Sequence, residues 1–154
     1  MIRLMRKHAG FTLVELMIVV AIVAILAAIA IPSYLRFQSK AKTAEATNNL
    51  GAIRTAEETY RAENDLYLAC TASPATGGTD AAADTWTDEG GEFTQIGFVP
   101  DGDVRYQYAV VAGTAGISLS YTATATGDLD DDDVASVYTV TESQPKAAHT
   151  GDDL

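Results

Sequence analysis

From Phe11 to Ile31 the chain runs for 21 residues with a single charged side chain, Glu15. At about 1.5 Å rise per residue, a helix of about 20 apolar residues crosses a hydrocarbon core of about 30 Å, so this segment can span a bilayer. Arg3, Arg6 and Lys7 stand directly before the run, the arrangement that keeps a segment's N-terminal side in the cytoplasm and sends the downstream chain outward. A secretory signal would carry a shorter apolar core of roughly 7 to 15 residues and an A-x-A-like cleavage site after it. Ala27-Ala28 inside an unbroken run is a poor match, so residues 1–10 read as a short basic leader processed on the other side of the apolar run.

Glu15 needs a physical reason, because a carboxylate inside a bilayer costs on the order of a few kcal/mol. No Lys or Arg lies within the run, so the expectation is that a cation comes from elsewhere. Cleavage after Gly10 would create a positive amine at Phe11, and in a staggered bundle of identical helices Glu15 of one copy can meet that amine on another. The alternative is a Glu15 that sits near the headgroups, unpaired and partly hydrated.

The stretch GFTLVELMIVVAIVAILAAIAIPSY, residues 10–34, resembles the class III signal and N-terminal helix shared by type IV pilins and type II secretion pseudopilins. The match extends over about the first 65 residues. The resemblance implies cleavage after Gly10 by a prepilin peptidase, N-methylation of Phe11, and a role for Glu15 in subunit recruitment and register. It also implies a membrane-inserted precursor, an inner-membrane assembly platform as partner, and polymerisation with further copies of the chain. The expected fold class is α+β, a long N-terminal helix (11–32 in the membrane or filament core) carrying a globular head over 33–144.

Pro32 removes a backbone donor and clashes with the carbonyl four residues back, which predicts a kink or loosening over residues 28–32. The resemblance implies an extensible stretch there that serves assembly. Beyond it Tyr34, Phe37, Ala41, Ala44, Leu50, Ile53, Ala56 and Tyr60 recur near helical spacing, so an amphipathic helix is expected over 33–64. Arg54 with Glu58 and Glu57 with Arg61 read as exposed i,i+4 pairs worth about 0.3 to 0.5 kcal/mol each. Gly51 costs the helix about 1 kcal/mol relative to Ala, which suggests a close contact, with a flexible joint as the rival.

Residues 71–92 are small, polar and acidic without periodicity and read as a surface loop, with Trp86 and Cys70 as packed side chains. Cys70 is the only cysteine, so no intrachain disulfide supports the head. An antiparallel sheet is expected over 93–141, from alternation at 104–110 and 117–125 and a third run at 134–141. Residues 145–154 read as a disordered polar tail. The segment GFVPDGDVRYQY, residues 97–108, resembles the sheet-entry region of type IVa pilins of delta-proteobacterial lineages, a weaker likeness that favours a pilus subunit over a pseudopilin.

Residues 63–154 hold 17 Asp or Glu against Arg105 and Lys146, an acidic surface that repels phosphate backbones. Nucleic-acid binding by the head is therefore not expected, DNA uptake by a whole filament being a separate matter. Asp128, Asp130 and Asp132 follow the i, i+2, i+4 spacing of hard oxygen ligands around calcium. Asp133 replaces the glycine and Thr139 the bidentate glutamate of an EF-hand loop, so calcium binding and a solvated acidic turn both stay open. Neither His8 nor His149 lies in a motif with a nucleophile, and the chain reads as a non-enzyme without an obligate cofactor. Adhesion, twitching motility or DNA uptake would be properties of the fibre. A type II secretion pseudopilin is the alternative, and an uncleaved single-pass membrane protein with a binding head is a third reading.

Overall fold

A computed structural model describes residues 10–113, 119–130 and 132–151. The leader residues Arg3, Arg6, Lys7 and His8, and also Ile117 and Asp131, lie outside the described residues. The elements run α1 (Leu13–Asn64), β1 (Cys70–Ser73), α2 (Glu92–Ile96), β2 (Gln107–Ala112), β3 (Tyr121–Gly127), β4 (Ser136–Thr141) and β5 (Ala148–Thr150). The chain divides into two compact units, one ending at Phe37 and the other starting at Gln38. The fold is α+β, as expected.

In the first unit the apolar side chains of α1 have no core to enter: Leu13 is 73% exposed, Val20 60% and Ile29 70%. The helix has the length and apolarity of a membrane span. It runs as one helix through Pro32, whose ring leaves one helical hydrogen bond without its donor.

In the second unit a five-stranded antiparallel sheet runs in the order β1-β2-β3-β4-β5. Strict alternation puts Tyr108, Val110, Tyr121, Ala123, Ala125, Tyr138 and Val140 on the buried side, where they share one core with Ala46, Leu50 and Ile53 of α1. Burying a side chain such as Leu50 or Ile53 contributes about 1.5 to 3 kcal/mol. Of the expected helix face, Leu50 and Ile53 are buried and Ala56 and Tyr60 pack against the core, whereas Ala41 and Ala44 are exposed and Ala46 and Glu57 are buried instead. Alanine marks a helical face weakly, because it is at home on either side.

Glu57 is the larger correction. It is 0% exposed, and neither Glu57–Arg61 nor Arg54–Glu58 forms an ion pair among the described residues. The Arg61 guanidinium donates instead to the Tyr67 hydroxyl, which donates to Glu58. An ion pair that does form joins Arg105 to Glu45 at 3.3 Å, and Glu45 also accepts the Arg105 backbone N–H. Gly51 is exposed and a Cβ there would meet nothing within 4 Å, so the expected close contact is absent.

The 71–92 segment is more structured than a surface loop. It opens on edge strand β1, and Asp84 exchanges both backbone hydrogen bonds with Val104. Trp86 is anchored as expected, its ring 5.2 Å from Phe93, 5.7 Å from Phe98 and 6.2 Å from Tyr108. Residues 92–96 are the short helix α2 rather than the start of the sheet: left-handed Gly91 and Gly97 bound it, and the Asp88 carboxylate accepts the N–H of Phe93 and Thr94. Within the expected tail, Ala148–Thr150 form β5, which pairs with β4, and His149 stacks on Tyr138 at 4.5 Å with its Nε2 3.2 Å from the Ser136 hydroxyl.

Gly78 has φ 74°, and a Cβ there would lie 2.1 Å from the Thr126 carbonyl oxygen. Gly78→Ala therefore destabilises the head by about 2 to 4 kcal/mol through backbone strain and overpacking. Gly51→Ala, on an open helix surface, stabilises it by up to about 1 kcal/mol. Urea unfolding of the detergent-solubilised chain, followed by Trp86 fluorescence, checks both.

Candidate functional site

The N-terminal candidates converge on the first turn of α1. Gly10 and Phe11 precede the helix, both exposed, Phe11 at 85%. Thr12 stands immediately before the first helical residue, Leu13. Its side-chain oxygen accepts the Glu15 backbone N–H at 3.2 Å, and its carbonyl accepts the Leu16 N–H at 3.3 Å. Glu15 reaches back: Oε2 accepts the Thr12 N–H at 2.9 Å and the Thr12 hydroxyl at 2.7 Å. These reciprocal bonds are a capping box, which satisfies donors that a helix start otherwise leaves without partners.

Thr12 thus gives Glu15 a hydrogen-bond partner in its own chain, beside the cation expected from elsewhere. Its carboxylate is hydrogen-bonded by Thr12, though its charge meets no cation among the described residues. Thr12 is a residue of the motif to which the sequence reading assigns no role. The signal for one is present, since Thr-x-x-Glu before an apolar run is the sequence mark of a capping box.

The acidic turn between β3 and β4 is the second candidate. One carboxylate oxygen from each of Asp128, Asp130 and Asp132 lies within 4.8 Å of the others. Asp128 is 4% exposed, while Asp130 and Asp132 are exposed. Asp128 Oδ2 accepts the Asp133 N–H at 3.0 Å and Asp132 Oδ1 accepts the Val134 N–H at 2.8 Å. Asp133 takes the left-handed conformation, φ 65°, at the position where an EF-hand loop has glycine. The convergence suits a hard cation, and the same carboxylates tie the turn to its own backbone as Asp side chains do in turns generally.

Cys70 is a free, buried thiol that burial and the nearby Glu57 push above its ordinary value, the opposite of what a nucleophile needs. Burial likewise pushes Tyr108 up, its hydroxyl accepting from Asn49 and donating to Glu45.

The prokaryotic N-terminal methylation motif matches residues 5–31, a span that includes Gly10, Phe11, Thr12 and Glu15. The chain is 42% identical over 106 residues to the type IV major pilin protein PilA of Myxococcus xanthus, covering 69% of this chain and 38% of that one. Over the matched stretch the chain is similar to the type IV pilins. The type IV major alpha-pilin of Moraxella bovis is 52% identical over 52 residues, covering 34% of this chain and 33% of that one. The type II secretion system core protein G of Vibrio cholerae is 40% identical over 63 residues, covering 41% of this chain and 43% of that one. The chain thus spans less than half the length of each of these relatives.

Replacing Thr12 by valine removes the hydroxyl but keeps the shape. Loss of an N-cap costs about 1 kcal/mol, a factor of about five in local opening. Amide exchange of residues 13–16 in detergent micelles should accelerate by that factor, with residues 20–30 unchanged.

Proposed function

We propose that the chain is the precursor of a filament subunit, cut after Gly10 by a prepilin peptidase, methylated on Phe11 and polymerised with its own kind into a surface fibre. The observation that carries this reading is the exposed apolar half of α1 together with its capped, charge-bearing start. A helix apolar all round must be buried in lipid or among other helices, and a bundle of copies supplies that burial outside the membrane. Glu15 then has a second use: the new amine of Phe11 on a neighbouring copy supplies the cation that Thr12 cannot. Pro32, which withholds one helical bond, is the place for α1 to lengthen under assembly or tension.

Before assembly the chain sits in the inner membrane with its head outward, and afterwards in the fibre. In this reading it works as a structural subunit rather than an enzyme, and its head, acidic over residues 63–154, does not engage nucleic acid by itself. The match to a secretion core protein supports a second reading, a pseudopilin, in which the same helix builds a short periplasmic assembly.

Peptide mass spectrometry of fibres sheared from cells should find a chain that begins at N-methylated Phe11. Processed chain confined to the membrane, with none in fibres, would favour the pseudopilin, and an intact Met1 would overturn both readings. Glu15→Val should leave cleavage intact while abolishing the sheared-fibre fraction.

A further inference from the structure

Glu57 lies in the second unit, apart from the helix start and the acidic turn, and its carboxylate joins three pieces of chain. Oε2 accepts the backbone N–H of Leu68 at 3.1 Å, and Oε1 lies 3.9 Å from the Cys70 thiol. These bonds fold the connection after α1 back over the helix's last turns and fix where β1 begins. Asp65 at φ 61° and its N–H bond to the Arg61 carbonyl end the helix. Tyr67 forms a neighbouring clamp, its ring 4.7 Å from Tyr121 and 5.0 Å from the Arg61 guanidinium carbon.

We propose that Glu57 is a proton-operated latch: in its neutral form it holds residues 65–70 and edge strand β1 on the helix, and its ionisation releases them.

Among the described residues the groups around the carboxyl give it no counter-ion. From α1, Glu58 adds negative charge, Arg61 is engaged by Tyr67, and Arg54 acts on Tyr121 of β3. The Cys70 thiol faces it from β1 and Tyr121 from β3, and Asp88 and Glu92 approach through the Cys70 side. An ionised carboxylate buried without a cation is costly, whereas a neutral one is tolerated. Burial, with a smaller contribution from Glu58, raises the acid to about 7 against an ordinary 4.5, the Leu68 N–H and the Cys70 thiol opposing.

Linkage fixes the direction of the pH response. When the connection opens, the carboxyl is hydrated and ionises near 4.5, while the closed form holds its proton to about 7. The closed state is therefore fully favoured below pH 4.5, and opening grows by up to about tenfold per pH unit until the curve levels above 7. An opened β1 would uncover the edge of β2, a row of backbone groups ready to pair with another strand.

Hydrogen exchange of the full chain in micelles between pH 4.5 and 8.5, corrected for intrinsic rates, tests the latch. Protection of the Leu68 and Cys70 amides should fall steeply up to pH 7 and then level, while Ala123 and Val140 in the sheet centre keep theirs. Glu57→Gln should flatten the curve and keep acid-level protection at pH 8. A flat wild-type curve, or a slope that survives in Glu57→Gln, would overturn the proposal. Should that variant fail to fold, carbon-13 titration of the wild-type Glu57 carboxyl decides: a midpoint near 7 supports the latch and one near 4.5 sinks it.

Discussion

An apolar helix that its own chain cannot bury is the constraint on which the rest depends. Between Leu13 and Ile31 the large side chains of α1 are at least half exposed. Lipid and the apolar faces of other helices are the environments that satisfy such a surface, and the proposed function supplies both. The polar residues of the chain are distributed accordingly, with acids concentrated beyond residue 63 and one carboxylate placed at the helix start.

The head meets a different constraint, a small core without a disulfide. It uses aromatic volume instead: Tyr67, Tyr106, Tyr108 and Phe93 are among its largest fully buried side chains. Buried tyrosines bring hydroxyls that usually find a partner, and α1 supplies those of Tyr108 from Asn49 and Glu45 and those of Tyr67 from Glu58 and Arg61. The helix therefore packs its apolar face on the sheet and also sets its orientation with polar side chains beside that face. Trp86 with Phe93 and Phe98 does the same for the segment between β1 and β2.

Whatever depends on strong periodicity is legible in the sequence. The apolar run, the helix after it and three alternating strands all survive in the structure. The remainder depends on tertiary choice. Ala46 rather than Ala41 or Ala44 faces the core because alanine carries almost no burial preference. Glu57 and Arg61 have the spacing of a surface pair, and only the sheet's position decides that Glu57 points inward. β5 is three residues of an exposed polar segment whose pairing rests on backbone bonds to β4, and α2 exists because Asp88 and two glycines close five residues into a turn and a half. At the candidate site the Gly-Phe-Thr-x-x-Glu pattern is legible, whereas the exchange of bonds between Thr12 and Glu15 requires reading the same residues as a helix cap.

Glu15 and Glu57 are two answers to one electrostatic problem posed on one helix. Neither has a cation within ion-pair distance among the described residues, and each is held by hydrogen bonds to nearby chain, Thr12 in one case and Leu68 in the other. Hydrogen bonds lower the cost of a carboxylate but do not cancel its charge in an apolar medium. In the proposed fibre the medium is lipid or a bundle of helices and the remaining cost is relieved by another molecule, which is the recognition role proposed for Glu15. Where the medium is the chain's own core, it can be relieved by a proton, which makes Glu57 responsive to pH. The environment of the carboxylate, rather than its identity, decides which use it has.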